Sequence, residues 1–493
     1  MANAVKVHEY DEAAVRESIV RAFRERRGEA APADIVAFTG LPKIQVDTEL
    51  PAVADEFGGR LKVTESGEIL YSFPDGLHSR FRGFGPAFRR FRKAAGKVAV
   101  AVGTFFFKAW IMVMLIGYFA LFVALAVMAV LASVAISASD RNGKSRGRGG
   151  VNLVGGLFDL FIRIWFYNEV FKTPGQRRYQ VDSRNRDRGN RRPLHKAIFS
   201  FVFGEPDPNA DHDSVEKRAF VALARQKKGV ILLEDFMAVT GLPRDEADRA
   251  INRYLYEFEG SPEVSDSGTV WFSFPKLLLR SRADDGGAAD SPFRRIRPFS
   301  ANDKKSNAWY AAINGINLVF GSYFLYCTLA YEALSRQAIT GGTYLFWFVG
   351  NLASGISSNP LALVMIGLGI VPLAFSALFW LVPVLRAGVV ARQNDRIRLE
   401  NMRRTIYAAA VDSPSAVRAP DPATLSAAAR PKDGAAPRKV VEELAASLEG
   451  EVLPGGSWRL VELERKAADI ERVRAAVRPE ASSLGSIAFD SGS

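Results

Sequence analysis

The sequence is nearly devoid of cysteine. Cys327 is the single one in 493 residues, so no disulfide forms within the chain and no thiolate cluster holds a metal. It lies in an apolar run, where a thiol acts as a small packing group. Histidine is almost as scarce, and His8, His78, His195 and His212 show no metal-ligand spacing. The polar stretch from Met1 to Ala30 lacks the apolar core of a secretory signal, so the N-terminal domain is expected to stay in the compartment where it is made. There is no phosphate-binding glycine loop and no Gly-x-Ser-x-Gly elbow. Asp207, Asn209, Asp211 and Asp213 are spaced like half a calcium loop. His212 stands where glycine is needed and Arg218 where a bidentate glutamate is needed, so a helix cap built on Asp213 and Glu216 is expected instead. These absences exclude a catalytic site, a cofactor and a metal, and the chain reads as a non-enzyme.

Apolar residues make up 48% of the chain, unevenly spread. Residues 98–137 form an apolar run broken only by Lys108. As one helix, Val98–Ile136 would be roughly 60 Å long, about twice a hydrocarbon core. Arg80 to Lys97 before it and Arg141 to Arg148 after it are both basic, which favours a hairpin near Gly117 over one long span. Trp309–Tyr331 and Leu361–Leu385 are cleaner, and residues 307–386 read as a second hairpin whose loop, Ala333–Asn359, holds Trp347 and Tyr344 for the interface. Asn314 and Asn317 are expected to bond between helices, Gly367-Leu368-Gly369 to pack helices closely, and Lys108 to snorkel.

One fact organises the rest. Thr39-Gly40-Leu41-Pro42 recurs as Thr240-Gly241-Leu242-Pro243, and Ser72-Phe73-Pro74 as Ser273-Phe274-Pro275. The offset is 201 at both ends, and Asp47/Asp248, Glu56/Glu257, Phe57/Phe258, Gly59/Gly260, Val63/Val264, Ser66/Ser267 and Gly67/Gly268 keep the register. A domain is repeated, over residues 1–77 and 194–276. In each, helical spacing (Glu17–Arg27, Val215–Lys227) precedes a short helix (Pro32–Phe38, Leu233–Val239), a glycine turn, a third helix ending at Phe57 or Phe258, and two strands about a Ser-Gly turn. That is the element order of a winged helix. Leu194–Asn209, with Phe199, Phe201 and Phe203 alternating, reads as a docking strand or interfacial segment. The expected fold is therefore multidomain: two winged-helix-like α+β modules plus an α-helical transmembrane region.

A DNA reader places basic and amide groups at the start of its third helix. Here Lys43 and Gln45 face Asp47, Glu49, Asp55 and Glu56, while Arg244, Arg249, Asn252 and Arg253 face Asp245, Glu246, Asp248 and Glu257. Such faces repel phosphate, and the net charge of +12 sits in basic linkers (78–97, 138–193, 277–306). Those linkers suit an anionic lipid surface, with Val151–Phe171 as an amphipathic helix upon it. Pro51 is expected to disturb its helix. Residues 387–412 continue as a charged helix, and 413–493 read as a flexible tail with short helices, Ala481–Ser493 being disordered.

The repeated motifs and the layout resemble uncharacterised membrane proteins with duplicated winged-helix-like domains found in bacteria, cyanobacteria and plastids, a resemblance that implies no activity. The leading expectation is a membrane scaffold or adaptor, in a bacterial inner membrane with its modules in the cytosol. It would contact an unknown protein through Lys43, Gln45, Arg244 and Arg249 and the wing tips Ser66, Gly67, Ser267 and Gly268. A membrane-tethered transcription regulator binding nucleic acid is the disfavoured alternative. A transporter or channel component is the second, and it requires a polar path through the bilayer.

Overall fold

The computed structural model describes residues 10–26, 29–74, 76–77, 96, 100, 102–139, 193–281, 292–477 and 484–491. The linkers 78–97 (except Gly96) and 140–192, with the amphipathic segment Val151–Phe171, lie outside them, as do residues 282–291. Two units emerge. One is helical, formed by Arg92–Pro206 and Pro298–Val390. The other is mixed α/β, formed by Met1–Phe91, Asp207–Arg297 and Ala391–Ser493.

Among its described residues the helical unit contains three helices long and apolar enough to cross a bilayer: Val102–Ala135, Lys304–Leu329 and the first part of Pro360–Asp412. The favoured hairpin near Gly117 does not form. Instead the chain widens into a π-helical turn at Val113–Gly117 and continues as helix Tyr118–Ser139. A π turn frees backbone carbonyls, and Asn317 Nδ2 donates to Leu115 O at 2.7 Å. Asn314 Nδ2 donates to Ser376 O at 3.0 Å, so both asparagines bond between helices. Gly369 permits a close crossing, since a Cβ there would lie 3.2 Å from the Leu325 backbone. The expected outer loop instead contains the helix Gly341–Ser354, whose Phe346, Val349 and Ala353 are buried with Phe122 and Phe324.

The alternating phenylalanines form a helix, Leu194–Phe203, not a strand. The helical period wins because Ala197, Ile198, Phe201 and Val202 share one buried stripe. Gly204 ends the helix at φ +84. Arg386 then takes up its last carbonyls, donating to Phe201 O at 2.7 Å and Val202 O at 3.1 Å. Lys108 Nζ lies 4.2 Å from the centre of the Phe199 ring, where the π face attracts the cation.

In the α/β unit both repeats run in one order. Repeat one has helices Glu12–Arg26, Pro32–Thr39 and Lys43–Phe57, then strands Arg60–Thr64 and Ile69–Ser72. Repeat two has His212–Gln226, the short strand Val230–Ile231, Leu233–Thr240 and Arg244–Glu257, then Ser261–Val264 and Val270–Ser273. Pro51 is tolerated inside its helix, on an exposed face. The hairpins register Leu61 on Tyr71 and Pro262 on Phe272.

The recurring motifs have packing causes. The Ser-Phe-Pro phenylalanine lies over the glycine that leads from the third helix into the hairpin: a Cβ on Gly59 would meet Phe73 at 2.8 Å, and one on Gly260 would meet Phe274 at 2.4 Å. The Thr-Gly-Leu-Pro threonine caps its helix, Thr39 Oγ1 donating to Ile35 O and Thr240 Oγ1 to Phe236 O.

Residues 413–477 are folded rather than flexible. The helix Ala436–Ser447 buries Val440, Val441 and Leu444 in the core shared with both repeats, so its apolar stripe outweighs the Ala/Pro-rich composition before it. Asp213 does not cap its helix either; Asp211 holds the N-cap position and makes no side-chain cap.

Phe220 is fully buried and touches the rings of Phe236, Tyr254, Phe258 and Phe274. Phe220→Ala should lower the stability of the α/β unit by about 3–5 kcal/mol, whereas exposed Phe38→Ala should change it by no more than about 0.5 kcal/mol. Thermal unfolding of the detergent-solubilised chain checks this, and equal effects would refute the assignment of the core.

Candidate functional site

The expected contact residues are largely occupied by the chain itself. Lys43, at the start of its helix, is buried, and its ammonium pairs with Asp47 on its own helix and with Glu259 of repeat two at 3.4 Å. Glu259 also binds Lys276 at 2.7 Å. Burial would raise its carboxyl, but the two lysines win and hold it below the ordinary range. Arg244 donates to Glu234 at 3.4 Å and to Ser447 O at 3.2 Å. Gln45 is half-buried, and Arg249 is exposed with its Nε on Asp245 O.

The residues of the two hairpin turns behave similarly. Gly67 and Gly268 hold φ of +80 and +81 in their turns, which glycine adopts at least cost. Ser66 Oγ donates to Leu484 O at 3.0 Å, and Ser265, two residues before exposed Ser267, donates to Asp469. The strand Ile487–Asp490 extends the first hairpin, pairing Lys62 with Asp490 and Val63 with Phe489. The expected disorder of the tail therefore fails for residues 484–491. An unpaired strand edge is a template for strand addition, and the chain covers this one itself. The matching edge of repeat two carries Pro262 where repeat one has Leu61, and proline removes the needed donor.

Three arginines that sequence reasoning missed close the unit. Arg225 donates to Ala33 O at 3.1 Å and Asp34 Oδ1 at 3.3 Å. Arg474 donates to Val230 O at 3.0 Å and Asp235 Oδ2 at 2.8 Å. Asp34 and Asp235 are counterparts at the same offset of 201, and each also caps its short helix through the Ala31 or Leu232 N–H. That identity was the available signal. Arg404 donates to Val239 O at 2.8 Å and Glu216 Oε2 at 2.8 Å, and lies 3.3 Å from His212 Nε2. Tyr254 also donates to Glu216.

A cleft of about 670 Å³ is lined by Leu223, Arg225, Asp235, Ala238 and Val411 among others. Its Arg225 and Asp235 are spent on Asp34 and Arg474, so neither offers an acid, a base or a ligand. Among the described residues no group of three or more His, Cys, Asp or Glu is arranged to hold a metal. The Asp207–Asp213 loop is structural, Asn209 bonding Arg295 through both backbone groups.

Burial would raise the Glu216 carboxyl, but His212, Arg404 and Tyr254 outweigh it and hold it below its ordinary 4.5. Because the folded value lies below the unfolded one, this contribution is full above pH 4.5 and disappears as pH falls through the folded value. Glu216→Gln should therefore unfold at lower temperature than the wild type at pH 7, and the gap should narrow as the pH is taken progressively below 4.5. A gap independent of pH would refute the charge pairing.

No family model matches the chain, and no solved structure does. The chain is similar to an uncharacterised chloroplastic protein of Arabidopsis thaliana, 23% identical over 423 residues that cover 81% of this chain and 73% of that protein.

Proposed function

We propose that the chain is an integral membrane scaffold or adaptor whose two winged-helix modules, on the cytosolic side of a bacterial inner membrane, make protein–protein contacts. One observation carries this reading. The leading ends of both third helices, where a nucleic-acid reader needs free basic groups, are committed within the chain: Lys43 to Asp47 and Glu259, and Arg244 to Glu234 and Ser447. What the third helix of repeat two still exposes is mixed in sign, Asp245, Glu246 and Asp248 beside Arg249, and such a face gains little from phosphate. The order helix, short strand, helix, helix, hairpin supports the winged reading of repeat two. The three apolar helices support the anchor, and the basic linkers suit anionic lipid.

The test is duplex DNA titrated at low salt onto the full chain in nanodiscs. Retention, if any, should come from the basic linkers and be unchanged by Arg249→Glu. Salt-dependent binding that Arg249→Glu abolishes would overturn the scaffold reading in favour of DNA recognition.

A further inference from the structure

The two repeats are joined by a specific contact. Gly40, in the turn after the second helix of repeat one, has φ +72, and a Cβ there would lie 2.3 Å from Ser214 O. Ser214 is on the first helix of repeat two. Gly241, the counterpart of Gly40, has φ +68, and its Cβ would lie 2.5 Å from Glu400 O. The Thr-Gly-Leu-Pro turn is thus a knuckle, glycine in both because another backbone presses on it. The same knuckle is seated twice, the second time on the end of the helix Pro360–Asp412.

Around that second seat the chain repeats the module's geometry. In repeat one Ala30 bridges Tyr71, and in repeat two Ile231 pairs with Phe272. Val417 bridges Trp458, and 41 residues separate the partners in all three. The bridge is doubly bonded in the first and third, Ala30 with Tyr71 at 3.0 Å each way and Val417 with Trp458 at 2.7 Å each way. Each seat lies 17 residues before its bridging residue, Ser214 before Ile231 and Glu400 before Val417. Four residues past each seat stands an arginine, Arg218 or Arg404.

The end of the third helix matches too. Gly58, Glu259 and Glu449 have φ of +66, +52 and +51, and each precedes a glycine that opens the hairpin. Gly59 N bonds Ala54 O and Gly260 N bonds Leu255 O, while a Cβ on Gly450 would meet Ala445, again five residues back, at 2.5 Å. The hairpin turns close alike: Gly67 N to Thr64 O, Gly268 N to Ser265 O, and Gly456 N to Leu453 O.

We infer that residues 391–460 are a third, divergent repeat, and that the three repeats stack head to tail through one reused contact, the knuckle glycine of each seated on the first helix of the next. The third departs from the others where its knuckle would be. Pro420 and Pro422 begin a stretch that makes only turns in place of the second helix, and Ala427 stands ten residues past Val417, the place of Gly40 and Gly241. The third repeat therefore accepts a knuckle and offers none, as a terminal repeat that ends an array does. The interaction surface is the knuckle face of a repeat, and the partner it fits is the first helix of another repeat, met at a helical backbone carbonyl one turn before an arginine.

Hydrogen exchange of the full chain in nanodiscs tests this with matched glycines. Gly67 and Gly268 share the left-handed backbone, but a Cβ on either meets nothing within 4 Å, so Gly67→Ala and Gly268→Ala control for strain alone. Gly241→Ala should speed exchange across 413–460 by at least about tenfold while Gly268→Ala does not. Gly40→Ala should loosen 212–226 and leave 413–460 as in the wild type. Should Gly241→Ala unfold the chain, Arg404→Ala tests the same seat without backbone strain and should give the same pattern. Protection of 413–460 that survives both Gly241→Ala and Arg404→Ala, or that Gly268→Ala removes equally, would overturn the docking. An experimental structure in which 398–460 fails to superpose on 212–273 would overturn the third repeat.

Discussion

Apolar surface that none of the described residues covers is the constraint on which the helical unit depends. Only 33%, 33% and 22% of the most hydrophobic windows of its three long helices are buried, and Val130, Val134, Val384 and Leu385 each stand at least 60% exposed. At about 25 cal/mol per Å², faces of that extent are unfavourable in water and favourable in lipid. The polar groups obey the same rule. Asn314 and Asn317 turn inward onto carbonyls of neighbouring helices, Arg386 spends its guanidinium on the end of Leu194–Phe203, and Lys108 lies over an aromatic ring.

The α/β unit is governed by close backbone approach and by arginines aimed at carbonyl groups. Arg225, Arg404 and Arg474 each bond a backbone oxygen and a carboxylate from another segment. A guanidinium suits this work because its fork of donors satisfies several acceptors at once. The negative partners are inexpensive to bury because they already cap a helix, as Asp34 and Asp235 do, or accept a tyrosine hydroxyl, as Glu216 does. Repeats joined in this way leave few free groups at their contact faces, which is why Lys43 and Arg244 turn inward to the chain.

Much of this was legible in the residues. The offset of 201 located both repeats, and the Thr-Gly-Leu-Pro turns marked helix ends correctly, Gly40 and Gly241 capping theirs in the left-handed region, because local backbone chemistry fixes them. Long uncharged runs located the three apolar helices for the same kind of reason. The π turn at Val113–Gly117 was not legible, since its stabilising partner, Asn317, is about two hundred residues away. The helix Leu194–Phe203 was misread because alternating phenylalanines satisfy a strand pattern while Ala197, Ile198, Phe201 and Val202 satisfy a helical one, and only packing decides. The fold of 413–477 was hidden by composition, its order coming from burial against the repeats. The long-range pairing of Lys43 with Glu259, of Arg244 with Ser447 and of Ser66 with Leu484 was invisible, as these partners are distant in sequence.

Washing native membranes with alkaline carbonate tests the lipid exposure of the apolar helices most directly. The chain should stay with the membrane pellet through the wash and be released only by detergent. Recovery of the folded chain in the carbonate supernatant, with Val130, Val134, Val384 and Leu385 shielded from solvent, would contradict it.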